Sequence, residues 1–488
     1  MTYPHEARLS LGVAGLDEIL GGLVPQRTYL AKGGPGTGKT TLGLHFLRAG
    51  VPEESLLVSL GESEAEMRNN AERIQLSLKG VPVMDLSPMA NDPSAHETYS
   101  LLESWEAEGT TIHDRILEQA AQYRPRRVFI DSISTMRYLT PDPFQFRRQV
   151  LSLMRTFEQQ GATMLLTAQT AEDISDADLL SLSDGVIHFE RVTDGRLCRV
   201  IKIRGSGFIE GNHHYELTGA GMIVYPRLVP GAHQRPSPPP EALPSGIPGI
   251  DSLTHGGIER GTVTILSGPS GTGKTSLGTH FVNHAAQSGE RCVLYSFDER
   301  FSTFAPRCEG LGLRIHELIE RGTLHFDEVE PLRYNPDEFA THVRDEVEHR
   351  GTRLVMLDSL SGYRRAMRGE ELVDRIHALC RYLANMGVTV IVINEVHSVA
   401  GGDFHATEYG ISYLADTILL VRYVEVSGEL RKCVGVLKKR TGGFEQGLRE
   451  LIFGDGELDA GRPLANIRGV LEGVPKASSI ADTPREFT

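Results

Sequence analysis

The chain contains one long segment twice, and this duplication limits what it can fold into. The first copy begins at Gly12 and reads GVAGLDEILGGLVPQRTYLAKGGPGTGKTTLGLHFL, and a close variant begins at Gly246. The glycines that open the two GxxxxGKT segments, Gly33 and Gly268, are 235 residues apart. Because a repeat of this length is a whole domain, the sequence predicts two tandem domains of one fold and not a solenoid of short repeats.

A proline-rich seam separates the two copies. Eight of the chain's 25 prolines lie between Pro226 and Pro248, and proline suits neither a helix interior nor a sheet ladder. We therefore predict a first domain over residues 1–227, a linker over 228–243 and a second domain over 244–475. Residues 476–488 are polar and without apolar periodicity, and we expect them to form a disordered tail.

Short apolar runs alternate with amphipathic stretches in both copies. In the first copy TYLAKG, LLVSL, RRVFIDS, ATMLLTAQ and DGVIHFERV are typical of strands, whereas residues 65–78 and 142–161 show the i, i+3, i+4 spacing of helices. The second copy repeats this order. Strands rich in Val, Ile and Leu between helices predict an α/β fold, in which each domain is a mostly parallel sheet with helices on both faces.

Composition narrows the function classes. Lys and Arg total 50 against 64 Asp and Glu, for a net charge of −14, and aromatic residues make up 7% of the chain. Nucleic acids and anionic membranes are bound through clustered cations, and single-strand readers add aromatic platforms, so this composition counts against both partners. With no apolar run near ~18 residues and no secretory signal, we expect a cytoplasmic protein with five reduced cysteines.

Both copies carry a phosphate-binding motif. Residues 33–40 and 268–275 fit GxxxxGK[ST], and each follows an apolar strand and opens a helical pattern. Glycines let the backbone direct N–H groups at phosphate oxygens, the lysine neutralises β and γ oxygens, and the threonine hydroxyl binds Mg²⁺. The motifs therefore predict ATP and Mg²⁺ as cofactors. The residues expected to hold them are Gly36, Thr37, Gly38, Lys39, Thr40 and Thr41 in the first copy, and Gly271, Thr272, Gly273, Lys274, Thr275 and Ser276 in the second.

Acidic residues end or follow strands near both motifs. Asp131 and Asp358 end apolar strands and precede a serine. A carboxylate at that place lies beside the phosphate loop and can hold Mg²⁺, although a helix N-cap is the alternative. Glu62 in the first copy, and Asp298 with Glu299 in the second, follow the second strand of each copy and are candidate catalytic acids. Asp298 is also a candidate metal ligand, and the alternative for all three is a solvated helix N-terminus.

Two pairs of cations occupy matching late strands. Lys202 and Arg204 in the first copy correspond to Lys438 and Arg440 in the second. Residues two apart on a strand share a face, so each pair directs two cations the same way. In a ring of subunits such a pair could reach a neighbour's γ-phosphate, as an arginine finger does. In a monomer it would be an ordinary solvated edge.

In this order and in duplicate, the motifs resemble the KaiC family of tandem RecA-superfamily P-loop ATPases. The resemblance covers nearly all of residues 5–475, including the GxxGxD lead-ins and the IDS and LDS strand ends. It implies a two-tiered homohexamer with ATP between adjacent protomers. It also implies slow ATP hydrolysis in the first domain and reversible phosphoryl transfer to the chain's own hydroxyls in the second. Regulatory protein partners are compatible with it, and we take this chain to be a member that functions without clock partners.

The resemblance also identifies the acceptor segment and three departures from the family pattern. Ser412 matches the first acceptor and Thr407 is a further candidate, but Tyr413 stands where clock members carry the second acceptor of a Ser-Thr pair. The family's acidic pair is Glu-Glu. Gly61 replaces its first glutamate in the first domain, and the shorter Asp298 replaces it in the second.

Three functions therefore compete. The first, which we expect, is a hexameric ATPase and Ser/Thr autokinase that acts in signalling or timing. A RecA-type DNA-dependent ATPase of repair or replication would instead show turnover stimulated by single-stranded DNA. A nucleotide-gated scaffold, in which ATP only holds the ring together, would assemble and bind partners normally without turnover after replacement of Lys39 and Lys274.

Overall fold

The computed structural model describes residues 8–87, 112–140, 142–170, 177–236, 241–369, 371–396, 411–426, 428–454, 456–464, 467–468 and 476–477. They fall into two units, 1–227 and 228–488. Each unit is built on a nine-stranded sheet with helices packed on both faces. The predicted pair of α/β domains is therefore confirmed.

The first unit has the following elements. Its helices are α1 (Ala14–Leu20), α2 (Lys39–Arg48), α3 (Glu64–Arg73), α4 (Ile112–Tyr123), α5 (Ile133–Leu139), α6 (Pro143–Gln159) and α7 (Ala177–Leu182). Its strands are β1 (Thr28–Gly33), β2 (Ser55–Ser59), β3 (Val83–Asp85), β4 (Arg127–Asp131), β5 (Thr163–Gln169), β6 (Gly185–Val192), β7 (Gly195–Ile203), β8 (His213–Thr218) and β9 (Gly221–Tyr225).

The second unit repeats this plan. Its helices are α8 (Pro248–Leu253), α9 (Lys274–Gln287), α10 (Phe301–Glu309), α11 (Ile315–Glu320), α12 (Pro336–Glu348), α13 (Leu360–Ala366) and α14 (Leu372–Asn385). Its strands are β10 (Ala242–Leu243), β11 (Ile258–Glu259), β12 (Val263–Gly268), β13 (Cys292–Ser296), β14 (Leu324–Glu328), β15 (Leu354–Asp358), β16 (Thr389–Glu395), β17 (Thr417–Val426), β18 (Glu429–Lys439), β19 (Arg449–Gly454), β20 (Glu457–Pro463), β21 (Ile467–Arg468) and β22 (Lys476–Ala477).

The two large sheets have the same strand order. It is β3-β2-β4-β5-β1-β6-β7-β8-β9 in the first unit and β14-β13-β15-β16-β12-β17-β18-β19-β20 in the second. Strands up to β6 and β17 are parallel, and the hairpins beyond them are antiparallel. The strand that precedes each phosphate loop, β1 or β12, lies inside the parallel part, so the loop leaves the carboxyl edge of the sheet beside neighbouring strand ends.

Residues alternate between two buried layers along each central strand. In β4, Val128 and Ile130 belong to the layer under α4 and α6, whereas Phe129 belongs to the opposite layer under α1 and α2. All three side chains are fully buried. Burial on both faces explains why the strand reads as a continuous apolar run and not as an alternating one.

The segment expected to be a linker packs on the second unit over its described residues. Leu228 and Leu243 are buried in the cores of that unit. The side-chain amide of Asn385 donates to the carbonyl oxygen of Pro230 at 2.8 Å. Proline excludes this segment from helix interiors and ladders, but it does not prevent an extended chain from lying against a core. Residues 237–240 lie outside the described part.

At the carboxyl end of the chain, β22 pairs with β21, and residues 478–488 of the expected tail lie outside the described part. Over the residues described, the structure contains no helix with the length and apolar character needed to cross a membrane.

Alanine in place of Gly43 should destabilise the first domain more than alanine in place of the matching Gly278 destabilises the second. A Cβ at Gly43 on α2 would overlap the buried ring of Phe129, whereas one at the matching Gly278 on α9 would meet the flexible end of Met356 at 2.9 Å. We expect overpacking in Gly43→Ala to lower the free energy of unfolding by about 2 kcal/mol. This loss exceeds the ~1 kcal/mol by which alanine is favoured over glycine within a helix. Gly278→Ala should be near neutral. Amide exchange of α2 in Gly43→Ala and of α9 in Gly278→Ala measures the two changes in stability against the unmodified chain. An equal loss of protection in the two variants would contradict the expectation.

Candidate active sites

Each phosphate loop joins a central strand to a helix that begins at the motif lysine. Lys39 Nζ donates to the carbonyl oxygens of Gly33 at 2.9 Å and Gly34 at 2.7 Å. Lys274 Nζ donates to the carbonyl oxygen of Pro269 at 2.7 Å. Both ammonium groups therefore lie over the loop, where phosphate oxygens can replace the carbonyl acceptors.

The last glycine of each motif has a backbone that an L-residue rarely adopts. Gly38 has φ 84° and Gly273 has φ 101°. A Cβ at Gly38 would also come within 2.6 Å of Leu217, and one at Gly273 would overlap the ring of Phe453. Both the left-handed conformation and the close approach therefore require glycine at the start of the helix.

The other predicted nucleotide contacts lie in the same two turns. The hydroxyls of Thr37 and Thr272 donate to loop carbonyls and so brace the turn from inside. Gly36 and Gly271 also have positive φ. Thr41 and Ser276 are the third residues of α2 and α9.

Burial lowers the pKa of both motif lysines. Lys39 is 8% exposed and Lys274 is 6% exposed. Desolvation is the largest cause of the lower pKa, and nearby carboxylates oppose it: Asp131 for Lys39, and Glu395 and Asp358 for Lys274. A buried cation of this kind is stabilised further when an anionic phosphate arrives beside it.

The predicted Mg²⁺ residues come together in both units. Thr40 Oγ1 donates to Asp131 Oδ2 at 2.6 Å, and the hydroxyl of Thr275 is hydrogen-bonded to Asp358. Burial raises the pKa of Asp358 to about 6, although that hydrogen bond lowers it. A hydroxyl and a carboxylate are oxygen donors that Mg²⁺ takes beside phosphate oxygens and water, so the residues fit the ion. Bound there, Mg²⁺ would neutralise charge on the transferred phosphoryl group.

The helix starts place serines, and not these aspartates, at the N-cap positions. The N-cap of α5 is Ser132 and that of α13 is Ser359. Ser359 makes the capping hydrogen bond itself, because its side chain accepts from the backbone N–H of Gly362. The aspartate carboxylates are therefore available to face the phosphate loops.

In the second unit both candidate catalytic acids are ion-paired. Asp298 accepts from Arg365 Nη2 at 2.8 Å and from Ser359 Oγ at 3.1 Å. Glu299 is held by Arg307 through two hydrogen bonds, Nε to Oε1 at 3.1 Å and Nη2 to Oε2 at 2.6 Å. Burial lowers the pKa of Arg307, but its hydrogen bonds and nearby anions outweigh burial, so the net pKa is raised.

The first unit has one acid in a simpler setting. Glu62 is exposed, and its Oε2 accepts from Asn70 Nδ2 at 3.0 Å. The backbone carbonyls of Glu62 and Glu299 each accept from a serine hydroxyl three residues earlier, Ser59 or Ser296. The two glutamates therefore hold equivalent places after β2 and β13.

The second-unit residues line one cavity. Its volume is about 550 Å³, within the range of sites for small organic ligands. Its polar wall includes Lys274, Thr275, Ser276, Asp298, Glu299, Arg307 and Asp358. Pro306, Leu311 and Phe453 add apolar surface to it. The cavity therefore unites the phosphate loop, the magnesium residues and the acids, as a nucleotide site requires.

The cation pairs lie apart from the phosphate loops of their own units. Arg204 follows β7, and its Nη2 donates to the carbonyl oxygen of Ser181 at 2.6 Å, which Lys202 Nζ approaches at 3.5 Å. Both cations of the first pair therefore point to one side, towards the same carbonyl oxygen. Lys438 Nζ donates to the carbonyl oxygen of Ser412 at 3.1 Å, and Arg440 Nη2 donates to that of Tyr413 at 2.9 Å.

Strand register gives the position of the second pair. The backbone N–H of Arg440 donates to the carbonyl of Asp416, whose own N–H donates to the carbonyl of Val263 at the start of β12. The phosphate loop leaves the other end of β12, after Gly268. Val263 and Gly268, the two ends of β12, are five residue steps apart, which is roughly 16 Å at ~3.3 Å per residue. Ser412, in a short 3₁₀ turn before β17, shares the amino edge with the cations, while Thr407 lies outside the described residues.

Comparison with known proteins agrees with this geometry. The family model described as "ATPase: KaiC" matches residues 9–229 and 243–455, one match in each unit. The chain belongs to the KaiC ATPase family. It is similar to the circadian clock oscillator protein KaiC of Thermostichus vulcanus and to that of Synechococcus elongatus. Each is 25% identical, over 96% of this chain and 92% of the relative. KaiC of Acaryochloris marina is 24% identical over 98% of this chain and 92% of its own length.

Sequence reasoning identified the KaiC family and its motifs, but it missed the arginines that hold the acids of the second unit. Arg307 lies eight residues beyond Glu299, and Arg365 lies 67 residues beyond Asp298. Neither belongs to a motif. The duplication could have drawn attention to Arg307. It lies eight residues beyond Glu299, as Asn70 lies eight residues beyond Glu62, so the two copies carry different residues at matching places. Arg365 reaches its partner only through the packing of α13 beside β13.

Proposed function

We propose that this KaiC-family chain is a hexameric ATPase and autokinase. Its second domain transfers a phosphoryl group from ATP to Ser412 of a neighbouring protomer, and its first domain hydrolyses ATP with Glu62. One observation carries the proposal. Ser412 and the pair Lys438 and Arg440 are held together at the amino edge of the sheet, away from the phosphate loop of their own domain.

This separation favours a second copy of the chain as the source of the ATP. The contacts of Arg440 with Tyr413 and Asp416 hold it at the amino end of β17, and the own-chain phosphate loop begins roughly 16 Å further along the sheet. An acceptor and a cation pair placed there serve ATP that another protomer binds. Closed rings arise when one surface of a subunit meets a different surface of the next, which matches a phosphate loop that meets a neighbour's Ser412.

Phosphoryl transfer proceeds by displacement at the γ-phosphorus. Ser412 Oγ of one protomer bonds to the γ-phosphorus of ATP in the next, and the bond from that phosphorus to the β,γ-bridging oxygen breaks. ADP leaves with the electron pair, and the hydroxyl proton passes to the carboxylate of Asp298 or Glu299. Lys438 and Arg440 stabilise the equatorial oxygens as an arginine finger does. In the first domain water is the nucleophile and Glu62 orients it.

The relatives suggest a setting for this chemistry. They are circadian clock oscillator proteins, which favours a signalling or timing role for this chain. Tyr413 occupies the second acceptor position, so we expect phosphorylation at one residue and not at an ordered pair. Regulatory protein partners would then read the phosphorylated state.

Incubation with γ-labelled ATP and Mg²⁺, followed by phosphosite mapping, tests the proposal. We expect label on Ser412 and its loss in Ser412→Ala, with ATP turnover in the first domain retained because Glu62 is untouched. Mass measurement of the oligomer with and without ATP tests the ring. Label on Thr407 and not on Ser412 would show that Thr407 is the acceptor. No label anywhere on the chain would show an ATPase without kinase activity.

A further inference from the structure

The two sites differ at one position that touches a catalytic acid. Glu62 and Glu299 stand in equivalent places, and the residue eight positions further along contacts each carboxylate. In the first site that residue is Asn70 on α3. In the second site it is Arg307 on α10. The duplication therefore supplies an internal comparison in which a neutral amide corresponds to a guanidinium.

The contacts made by these two residues differ in number and charge. The neutral amide of Asn70 donates one hydrogen bond to Glu62, whose side chain is otherwise exposed. Arg307 donates to both carboxylate oxygens of Glu299 and, through Nη1, to Ser276 Oγ at 2.8 Å. Bidentate pairs of this kind fix the carboxylate geometrically as well as electrostatically.

The surroundings of Arg307 hold the pair in place. The guanidinium lies 5.6 Å from the ring centroid of Phe304, which supports its plane. The side chains of Arg307 and Glu299 are 36% and 28% exposed, so water only partly screens their attraction. Ser276 directly follows Thr275, so the bridge ties α10 to the first turn after the phosphate loop. The carboxylate of Glu299 is therefore restrained from two elements.

This restraint opposes the use of Glu299 on water. A carboxylate that orients an attacking water must turn an oxygen towards it and accept a strong hydrogen bond. Glu62 makes no ion pair with any residue that the structure describes, so it can do so without breaking one. Glu299 must first give up part of a bidentate contact in which both partners are ionised, whereas the single partner donating to Glu62 is a neutral amide.

We propose that Arg307 is a positioning residue that holds Glu299 back from water and so slows ATP hydrolysis at the second site relative to the first. The inference rests on the proposed function in one respect: slow hydrolysis preserves ATP for transfer to the neighbour's Ser412. The restraint on hydrolysis itself does not depend on that transfer.

The test removes the first site and gives the second site the contact found in the first. In a Lys39→Ala background, Arg307→Asn should raise kcat for ATP hydrolysis about tenfold, equivalent to roughly 1.4 kcal/mol in the barrier. KM for ATP should change little, because Arg307 acts through Glu299. Arg307→Lys, which keeps the charge but not the fork, should give an intermediate rate. Arg321→Asn, which removes a cation that pairs with Glu317 on α11, is the matched control and should leave kcat unchanged.

The reciprocal exchange guards against a variant that merely folds poorly. In a Lys274→Ala background, Asn70→Arg should lower first-site kcat about tenfold. An unchanged or lower kcat in Arg307→Asn, or a rise matched by Arg321→Asn, would overturn the inference. Ser412 labelling is measured on the same samples. If no variant is labelled but Arg307→Asn still accelerates hydrolysis, the autokinase proposal fails and the restraint by Arg307 stands.

Discussion

Lys274→Ala is expected to weaken ATP binding at the second site about 100- to 1000-fold, or ~3–4 kcal/mol. The lysine is buried over the phosphate loop, where its charge meets the β and γ oxygens with little screening by water. Alanine would leave those oxygens without the cation that the loop itself supplies. Equilibrium binding of a fluorescent ATP analogue with Mg²⁺ measures the loss.

Nucleotide stoichiometry supplies the control for this prediction. Lys39→Ala should remove only the first-site nucleotide, Lys274→Ala only the second, and the double variant both. Turnover should follow the same pattern, because each unit carries its own magnesium residues and acids. Two nucleotides per chain in both single variants would show that the lysines do not hold the phosphates, and would remove the basis for both sites.

The sequence was sufficient to predict the parallel core and the phosphate loops because both depend on local patterns. Strands such as β4 are buried on both faces and therefore appear as continuous apolar runs. The motif lysines begin their helices as expected because the glycines before them allow the turn. These features need no information about distant residues.

Helix ends were less predictable. Apolar spacing predicted a helix over residues 65–78, but α3 ends at Arg73. Gln75 has φ 59°, a left-handed conformation that ends the helix. Leu76 and Leu78 still bury their side chains in the core, so the apolar periodicity continued through a segment that is not helical. Burial, which produced the pattern, is shared by helices and well-packed loops.

The charges around the acids could not be predicted from motifs. Both acids of the second unit are paired with arginines, whereas the partner of the Glu62 carboxylate among the described residues is the amide of Asn70. These contacts depend on how α10 and α13 pack beside β13. The position of Lys438 and Arg440 likewise follows from strand order. β17 runs parallel to β12 and β18 runs antiparallel to β17, so the carboxyl end of β18, with these two cations, lies at the amino edge of β12. The two phosphate loops are therefore alike in structure, whereas the contacts of the candidate catalytic acids differ between the two units.

Mixing two inactive variants should restore activity at the second site. Arg440→Ala leaves the phosphate loop intact but removes the cation offered to a neighbour, and Lys274→Ala does the reverse. Each variant alone should transfer phosphate at least ~1000-fold more slowly than the unmodified chain, which is the lower end of the effect of an arginine finger. In mixed rings an intact loop of one protomer can face an intact Arg440 of the next.

The amount of recovery tests the arrangement. With equal amounts and random assembly, about a quarter of the interfaces would combine an intact loop with an intact cation. Second-site activity, measured as Ser412 labelling in a Lys39→Ala background, should recover towards that fraction. Arg204→Ala is the matched control, because its cation lies in the first domain and should not affect this recovery. A mixture no more active than its components would mean that loop and cation act within one chain, and it would remove the physical reason for a ring.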